Sequence, residues 1–292
     1  MSELEAPAPR FAPGQETPAR RPVVVITASR GWAGLNLREL WQYRDLLLIL
    51  AGRDVKLRYK QTALGITWVI LQPLVAALIF AVIFGRFAQL PSDGTPYLLF
   101  VFCGLLPWNY FAGVLARAEN SLITDARLIS KVYFPRLLIP LASTGAVLID
   151  FAVSLAVLVV LMGFYRVAPT WHLVALPFFL ALTTLLATGV SLWLAALNVR
   201  YRDFSYAMPF LIQVWLYATP IAYAASIVPE RWRLLYALNP AVGFVEGFRW
   251  ALLGRSALTP GMLATTTIIA ALVFVGGAYF FRRIERGFAD VV

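Results

Sequence analysis

The sequence has one cysteine, Cys103, and one histidine, His172, in 292 residues. A lone cysteine excludes an internal disulfide, and a lone histidine excludes a histidine-rich metal centre. Most zinc and redox chemistry goes with them, so neither a metal site nor a cofactor of its own is expected in this chain. Charge is also scarce: 14% of residues are Asp, Glu, Lys or Arg, against about 25% in soluble domains. Lysine occurs three times, as Lys56, Lys60 and Lys131, and never after a glycine. The G-x-x-x-x-G-K-[ST] phosphate loop is therefore absent, and ATP coupling of that kind needs a separate subunit.

What is there is apolar: 60% of the chain by the AVILMFWYC count. Lipid is the solvent that such a composition calls for. About 20 apolar residues carry a helix across the hydrocarbon. Six runs qualify, at residues 61–85, 94–116, 137–163, 173–197, 206–228 and 257–281, and the third alone holds a charge, Asp150. The runs are continuous, which favours helices over the short alternating strands of a barrel. A seventh run, 234–248, is too short to span and contains Asn239-Pro240 and Glu246. It reads as a re-entrant helical hairpin over about 230–254, or as two short helices at the interface. The expected fold is an all-α integral membrane protein with six transmembrane helices.

The net charge is +10. Ten Arg or Lys residues precede the first run, four lie between runs two and three, two between four and five, and three after the sixth. That places 19 on one side of the membrane against 6 on the other. Cytoplasmic loops collect Arg and Lys, so both termini are expected in the cytoplasm. Topology accounts for the basicity without nucleic acid. Residues 1–35 carry Pro7, Pro9, Pro13, Pro18 and Pro22 and no apolar run of signal-peptide length; they read as a flexible cytoplasmic tail. Over 36–60, Leu40, Tyr43, Leu47 and Leu50 recur among charges near helical spacing, with Trp41 at hand. This predicts an amphipathic helix on the inner leaflet. Residues 286–292 form a short cytoplasmic end.

Several stretches carry a resemblance. Arg53, Asp54, Lys56, Arg58, Tyr59, Lys60 and Gly65, followed by Trp68 and Gln72-Pro73, form the approach to the first run. Lys131-Val132-Tyr133-Phe134-Pro135-Arg136 precedes the third, Asn198-Val199-Arg200-Tyr201-Arg202-Asp203 follows the fourth, and Asn239-Pro240 with Gly247-Phe248-Arg249 precedes the sixth. In order and spacing, over residues 36–285, these resemble the permease subunits of ABC exporters for polysaccharides and teichoic acids. The N-terminal part is most similar to the O-antigen export branch of Gram-negative bacteria, with capsule and teichoic acid exporters close by. The resemblance implies a half-transporter in the inner membrane. Two copies pair above two copies of a cytoplasmic ABC ATPase that binds ATP and Mg, and the assembly exports a glycan built on undecaprenyl pyrophosphate.

Candidate roles follow. Arg200, Arg202 and Asp203, with Arg127, Lys131 and Arg136, are candidate ATPase contacts; a solvated, positive-inside loop is the alternative. Arg53, Lys56, Arg58 and Lys60 either pair with the substrate pyrophosphate or attract anionic headgroups. Trp108, Tyr110, Phe111, Trp215 and Tyr217 offer faces on which sugars stack, or form an aromatic belt. Asp150 is costly in mid-membrane and must face protein or water; it lines the path, pairs structurally or carries a proton. Glu246 and Arg249 share a helical face and either gate the exit or brace the hairpin. Two other functions compete: a membrane glycosyltransferase for lipid-linked sugars, which would need carboxylates the external loops hardly supply, and a proton-coupled carrier using Asp150.

Overall fold

The computed structural model describes residues 37–60, 65–201, 203–285 and 288, and no strand occurs among them. The expected tail, the expected C-terminal end apart from Phe288, and Arg202 lie outside the described residues. Two helices open the described chain, α1 (Leu37–Gln42) and α2 (Arg44–Lys60). Among the described residues, five helical segments have the length and apolarity to cross a membrane: Gly65–Phe87, Tyr97–Thr124, Leu138–Phe164, Trp171–Arg200 and Pro260–Ile284. Their α-helical parts are α3 (Gly65–Phe80), continued by a π-helical stretch to Phe87, α4 (Tyr97–Thr124), α6 (Leu138–Phe164), α7 (Leu176–Arg200) and α11 (Pro260–Ile284). Shorter helices lie between them: α5 (Ala126–Lys131), α8 (Phe204–Tyr217), α9 (Glu230–Ala237) and α10 (Pro240–Leu253).

The run 206–228 is not the continuous helix expected of a fifth span. Helix α8 ends at Tyr217, and an irregular stretch follows to Val228. Pro220 is the physical reason. It offers no N–H to the helix ladder and disfavours helical geometry in Thr219 before it. Three side chains satisfy the freed carbonyls. Asn239 donates to Ala218, Arg249 to Ile221 at 2.9 Å, and the Tyr97 hydroxyl to Ala222. Irregular backbone at membrane depth survives only where protein encloses it, and Thr219, Pro220, Ile221, Ala224 and Ala225 are all buried.

Helix α4 lies at the centre, against α3, α6, α7, α8 and α10. Helix α10 is almost wholly buried and shares its core through Phe244, Val245 and Phe248. Asn239 caps it, its side-chain oxygen accepting from the Ala241 N–H at 3.1 Å, with Pro240 preorganised at the first helical position. The run is therefore a pair of helices, α9 and α10, of which the second is a core element. Thr259 and Pro260 start α11 in the same way, with the Thr259 hydroxyl accepting from Met262 N–H at 3.2 Å. Helices α7 and α11 pack closely at Gly189 and Gly277. A Cβ on Gly277 would lie 2.5 Å from the Gly189 carbonyl oxygen. Without water to drive helices together, small residues that admit close packing hold such a pair.

A second apolar cluster gathers Leu122, Ile129, Phe134, Leu137, Val199, Phe281 and Phe288, and Leu40, Tyr43, Leu46 and Leu47 pack onto it. This seats α1 and α2 on the ends of the bundle. Where one amphipathic helix is expected over 36–60, the chain forms α1 and α2, and α2 is apolar on more than one side. Leu50 is buried, whereas Leu48, Ile49 and Leu57 are exposed. In α6, Leu158 is fully buried, whereas Val159 and Val160 beside it are exposed.

Candidate functional site

Two basic residues of α2, Arg53 and Arg58, are paired with acids distant in sequence. Arg53 forms a bidentate pair with Asp125, both contacts at 2.7 Å, and also donates to its neighbour Asp54. Fork-to-fork geometry of this kind is the strong form of a charge-assisted hydrogen bond. Asp125 holds the Arg53 guanidinium above its ordinary value despite partial burial. Asp125 sits at the junction of α4 and α5, so the pair fastens α2 to that junction. Arg58 reaches Asp150 of α6 at 2.8 Å, and the Tyr59 hydroxyl donates to the same carboxylate at 2.6 Å. Burial first, and then the Asp150 carboxylate, push the Tyr59 phenol up to about 12. Asp150 thus has a basic partner, which the sequence reading did not give it, because the partner comes from α2 and not from a span. Lys56 and Lys60 are exposed. Two of the four residues expected to greet a pyrophosphate are already bound to carboxylates.

The candidate contacts for a partner subunit gather at one end. Asn198 of α7 donates to the Glu119 carbonyl and to the Asn120 side chain, and Ser205 of α8 bonds both Asn120 and Asn198. This network ties the ends of α4, α7 and α8. Arg127, Lys131, Arg200 and Asp203 are exposed near it, and the Arg200 guanidinium lies over the Tyr201 ring. Arg136 differs: it is half-buried and hydrogen-bonded to Glu285 at the end of α11 through its backbone N–H and its side chain.

The aromatic candidates divide. Trp108 and Phe111 are buried, and with Trp215 and Phe244 they form one edge-to-face and tilted cluster with centroids 5.0–6.3 Å apart. The Trp215 indole donates to Asn239 at 2.8 Å. In a single protomer this cluster packs the break between α8 and α10. Tyr217 is 60% exposed. Tyr110 bonds Thr184 at 2.9 Å, and it faces a cavity.

That cavity, of about 500 Å³, lies between α3, α4, α6 and α8. Its wall includes Arg58, Gln72, Asn109, Tyr110, Glu119, Asp150, Ser154 and Ser205. Sequence reasoning missed Glu119, Asn120 and Ser205. The second run was ended at 116, whereas α4 continues two turns further, to Thr124.

Glu246 and Arg249 are 2% and 1% exposed and bond at 2.7 Å. The other Glu246 oxygen accepts from the Ala257 N–H, and Arg249 caps Ile221. The guanidinium also lies 3.7 Å from the Phe100 ring centre. A Cβ on Gly104 would come within 2.9 Å of it, so α4 needs glycine there. The pair is sunk in the core and joins α4, α10 and the irregular stretch, the arrangement of a brace.

Comparison with known proteins fits this architecture. The chain is 32% identical over 215 residues to "O-antigen export system permease protein RfbA" of Myxococcus xanthus, covering 73% of this chain and 82% of the relative. It is 29% identical over 251 residues to the protein of the same name from Klebsiella pneumoniae, covering 85% and 95%. At 23% identity over 225 residues it is similar to "Polysialic acid transport protein KpsM" of Escherichia coli, covering 73% and 80%. Residues 45–253, from α2 to the end of α10, match the family described as ABC-2 type transporter. With five membrane-length helices and a match over most of its length, this multi-pass membrane protein belongs to the ABC-2 type transporter family.

Proposed function

We propose that this chain is the membrane permease subunit of an ATP-driven exporter of lipid-linked polysaccharide, O-antigen first, with capsule or teichoic acid as the neighbouring substrates. The observation that carries the reading is its 32% identity, across most of both chains, to a permease named for O-antigen export. In this reading two copies pair in the bacterial inner membrane, and two ABC ATPase subunits, which bind ATP and Mg, dock beneath them. The exposed Arg127, Lys131, Arg200 and Asp203, with Arg202, supply the docking contacts. The substrate is a glycan on undecaprenyl pyrophosphate. Lys56 and Lys60 are the members of the basic group exposed to its headgroup, while Arg53 and Arg58 hold α2 in place. Helix α8, about 21 Å long at 1.5 Å per residue, and the enclosed stretch behind it complete a sixth crossing. Helices α9 and α10 then form a re-entrant hairpin on the outer side, and both termini are cytoplasmic. A carboxylate already held by Arg58 and Tyr59 favours a structural or lining role for Asp150 over proton coupling.

The test is reconstitution. The purified chain in lipid should hydrolyse no ATP, and turnover should arise only with its ATPase subunit. Reversing Arg200→Glu together with Arg202→Glu should cut recovery of that subunit in a pull-down several-fold, with unchanged membrane insertion. Robust turnover by the chain alone would sink the half-transporter reading.

A further inference from the structure

The cavity between α3, α4, α6 and α8 contains a carboxylate that the bundle leaves incompletely met. Glu119 is 3% exposed. Its Oε1 has no hydrogen-bond donor. A buried carboxylate oxygen without a donor is costly, and this one lines a space of about 500 Å³, within the range of small-molecule sites. The same wall supplies the amide side chains of Gln72 and Asn109 and the hydroxyl of Ser154. The wall also has an apolar part, with Tyr110 and Phe151 paired edge to face at 5.5 Å.

These features select among ligand classes. A diphosphate is disfavoured, because Glu119 and Asp150 put two carboxylates into the wall and the one guanidinium there, Arg58, is bonded to Asp150. Like charges brought into a partly desolvated space repel. An acyl chain is disfavoured because it offers no donor to Oε1. A sugar ring meets both demands. Its hydroxyls donate to a carboxylate and exchange hydrogen bonds with amides, and its C–H face packs on apolar and aromatic groups. We propose that this cavity is a subsite for a sugar unit of the exported glycan, with Glu119 Oε1 accepting from ring hydroxyls; the proposal rests on the polysaccharide-export reading. The subsite lies within one protomer. It holds the glycan by its sugars, apart from any contact made to the lipid diphosphate.

The experiment uses the full chain in lipid nanodiscs and equilibrium dialysis. The probe is the glycan released by mild acid from its lipid diphosphate, taken from export-blocked cells of the source organism and tritiated at its reducing end. Wild type should bind it, and excess inorganic pyrophosphate should not displace it. Glu119→Ala removes the acceptor. Ala116→Trp fills the cavity from an exposed position on its wall, and so stays informative if Glu119→Ala fails to fold. Each should raise Kd at least tenfold, whereas Val160→Ala on the outer face of α6 should leave it unchanged. Wild-type affinity in the folded variants overturns the subsite, and so does absence of binding to wild type. Displacement by pyrophosphate overturns the sugar assignment. The reading beneath is scored separately: deletion of the gene should abolish surface glycan and the wild-type chain should restore it. A failed subsite with restored surface glycan leaves export standing.

Discussion

Helices α3 and α4 are both proline-containing apolar spans, and α3 belongs to the more apolar of the two segments. Their surroundings are opposite. In α3 only Pro73 and Ala77 are buried, while Ile66, Trp68, Leu71, Val75, Leu78 and Ile79 are exposed. In α4 nearly everything from Leu99 to Leu115 is buried, and the helix carries Asn109, Glu119 and Asn120 as well. In water the more apolar helix would be the inner one. In lipid the outward face is the apolar one, and the inward face is free to hold polar groups that find partners. The buried Glu119 on α4 therefore marks the inside of this bundle, and the apolar surface of α3 marks its outside.

The hardest way to break this contrast is at the brace behind α4. Replacing Arg249 by Met leaves Glu246 charged, buried and without its cation. Loss of one partner of a buried pair costs about 3–5 kcal/mol, and the Ile221 carbonyl loses its donor too. The expected result is a large drop in the thermal unfolding midpoint of the purified protein in detergent. Adding Glu246→Gln to Arg249→Met removes the orphan charge and should recover part of that loss. A double variant no more stable than the single one would mean that charge is not what the pair contributes.

Truncating a buried aromatic on α4 should cost less. Phe111→Ala removes a ring in contact with Trp108, Trp215 and Phe244. In lipid the transfer component of a core truncation is largely absent, leaving lost packing and the cavity, roughly 2–3 kcal/mol. The same midpoint measurement reads it, and a change as small as that of an outward α3 residue would contradict the central position of α4.

These two effects bear on what the sequence could tell. Five spans were legible because length and apolarity decide them directly, and Asn239-Pro240 was legible as a break in a run too short to span. The interruption at Thr219-Pro220 was hidden inside a run of sufficient length, since a hydropathy count does not register a missing N–H. The partners of Asp150 and Arg53 were not legible either. Arg53 and Asp125 are 72 residues apart, and nothing local brings them together. Glu246 and Arg249 were recognisable as a pair by their spacing, but their depth depends on α10 entering the core. Glu119 was lost to a boundary drawn two turns early.

The smallest stability effect belongs to α3. A double change, Val75→Ala with Leu78→Ala, trims two exposed side chains and should shift stability by no more than about 0.5 kcal/mol, as surface substitutions do. The folded amount should stay at the wild-type level, and this is the contrast with Phe111→Ala. A helix with so few buried residues gains most from a second copy, because packing is what stabilises helix pairs in lipid. The expected outcome is a lowered dimer fraction in mild detergent, read by size-exclusion chromatography with light scattering. Unchanged stability with an unchanged dimer fraction would assign this face of α3 to lipid and move the dimer seam elsewhere. Reduced stability of the protomer itself would erase the distinction between α3 and α4, since it would require α3 to be part of the core that its exposure says it is not.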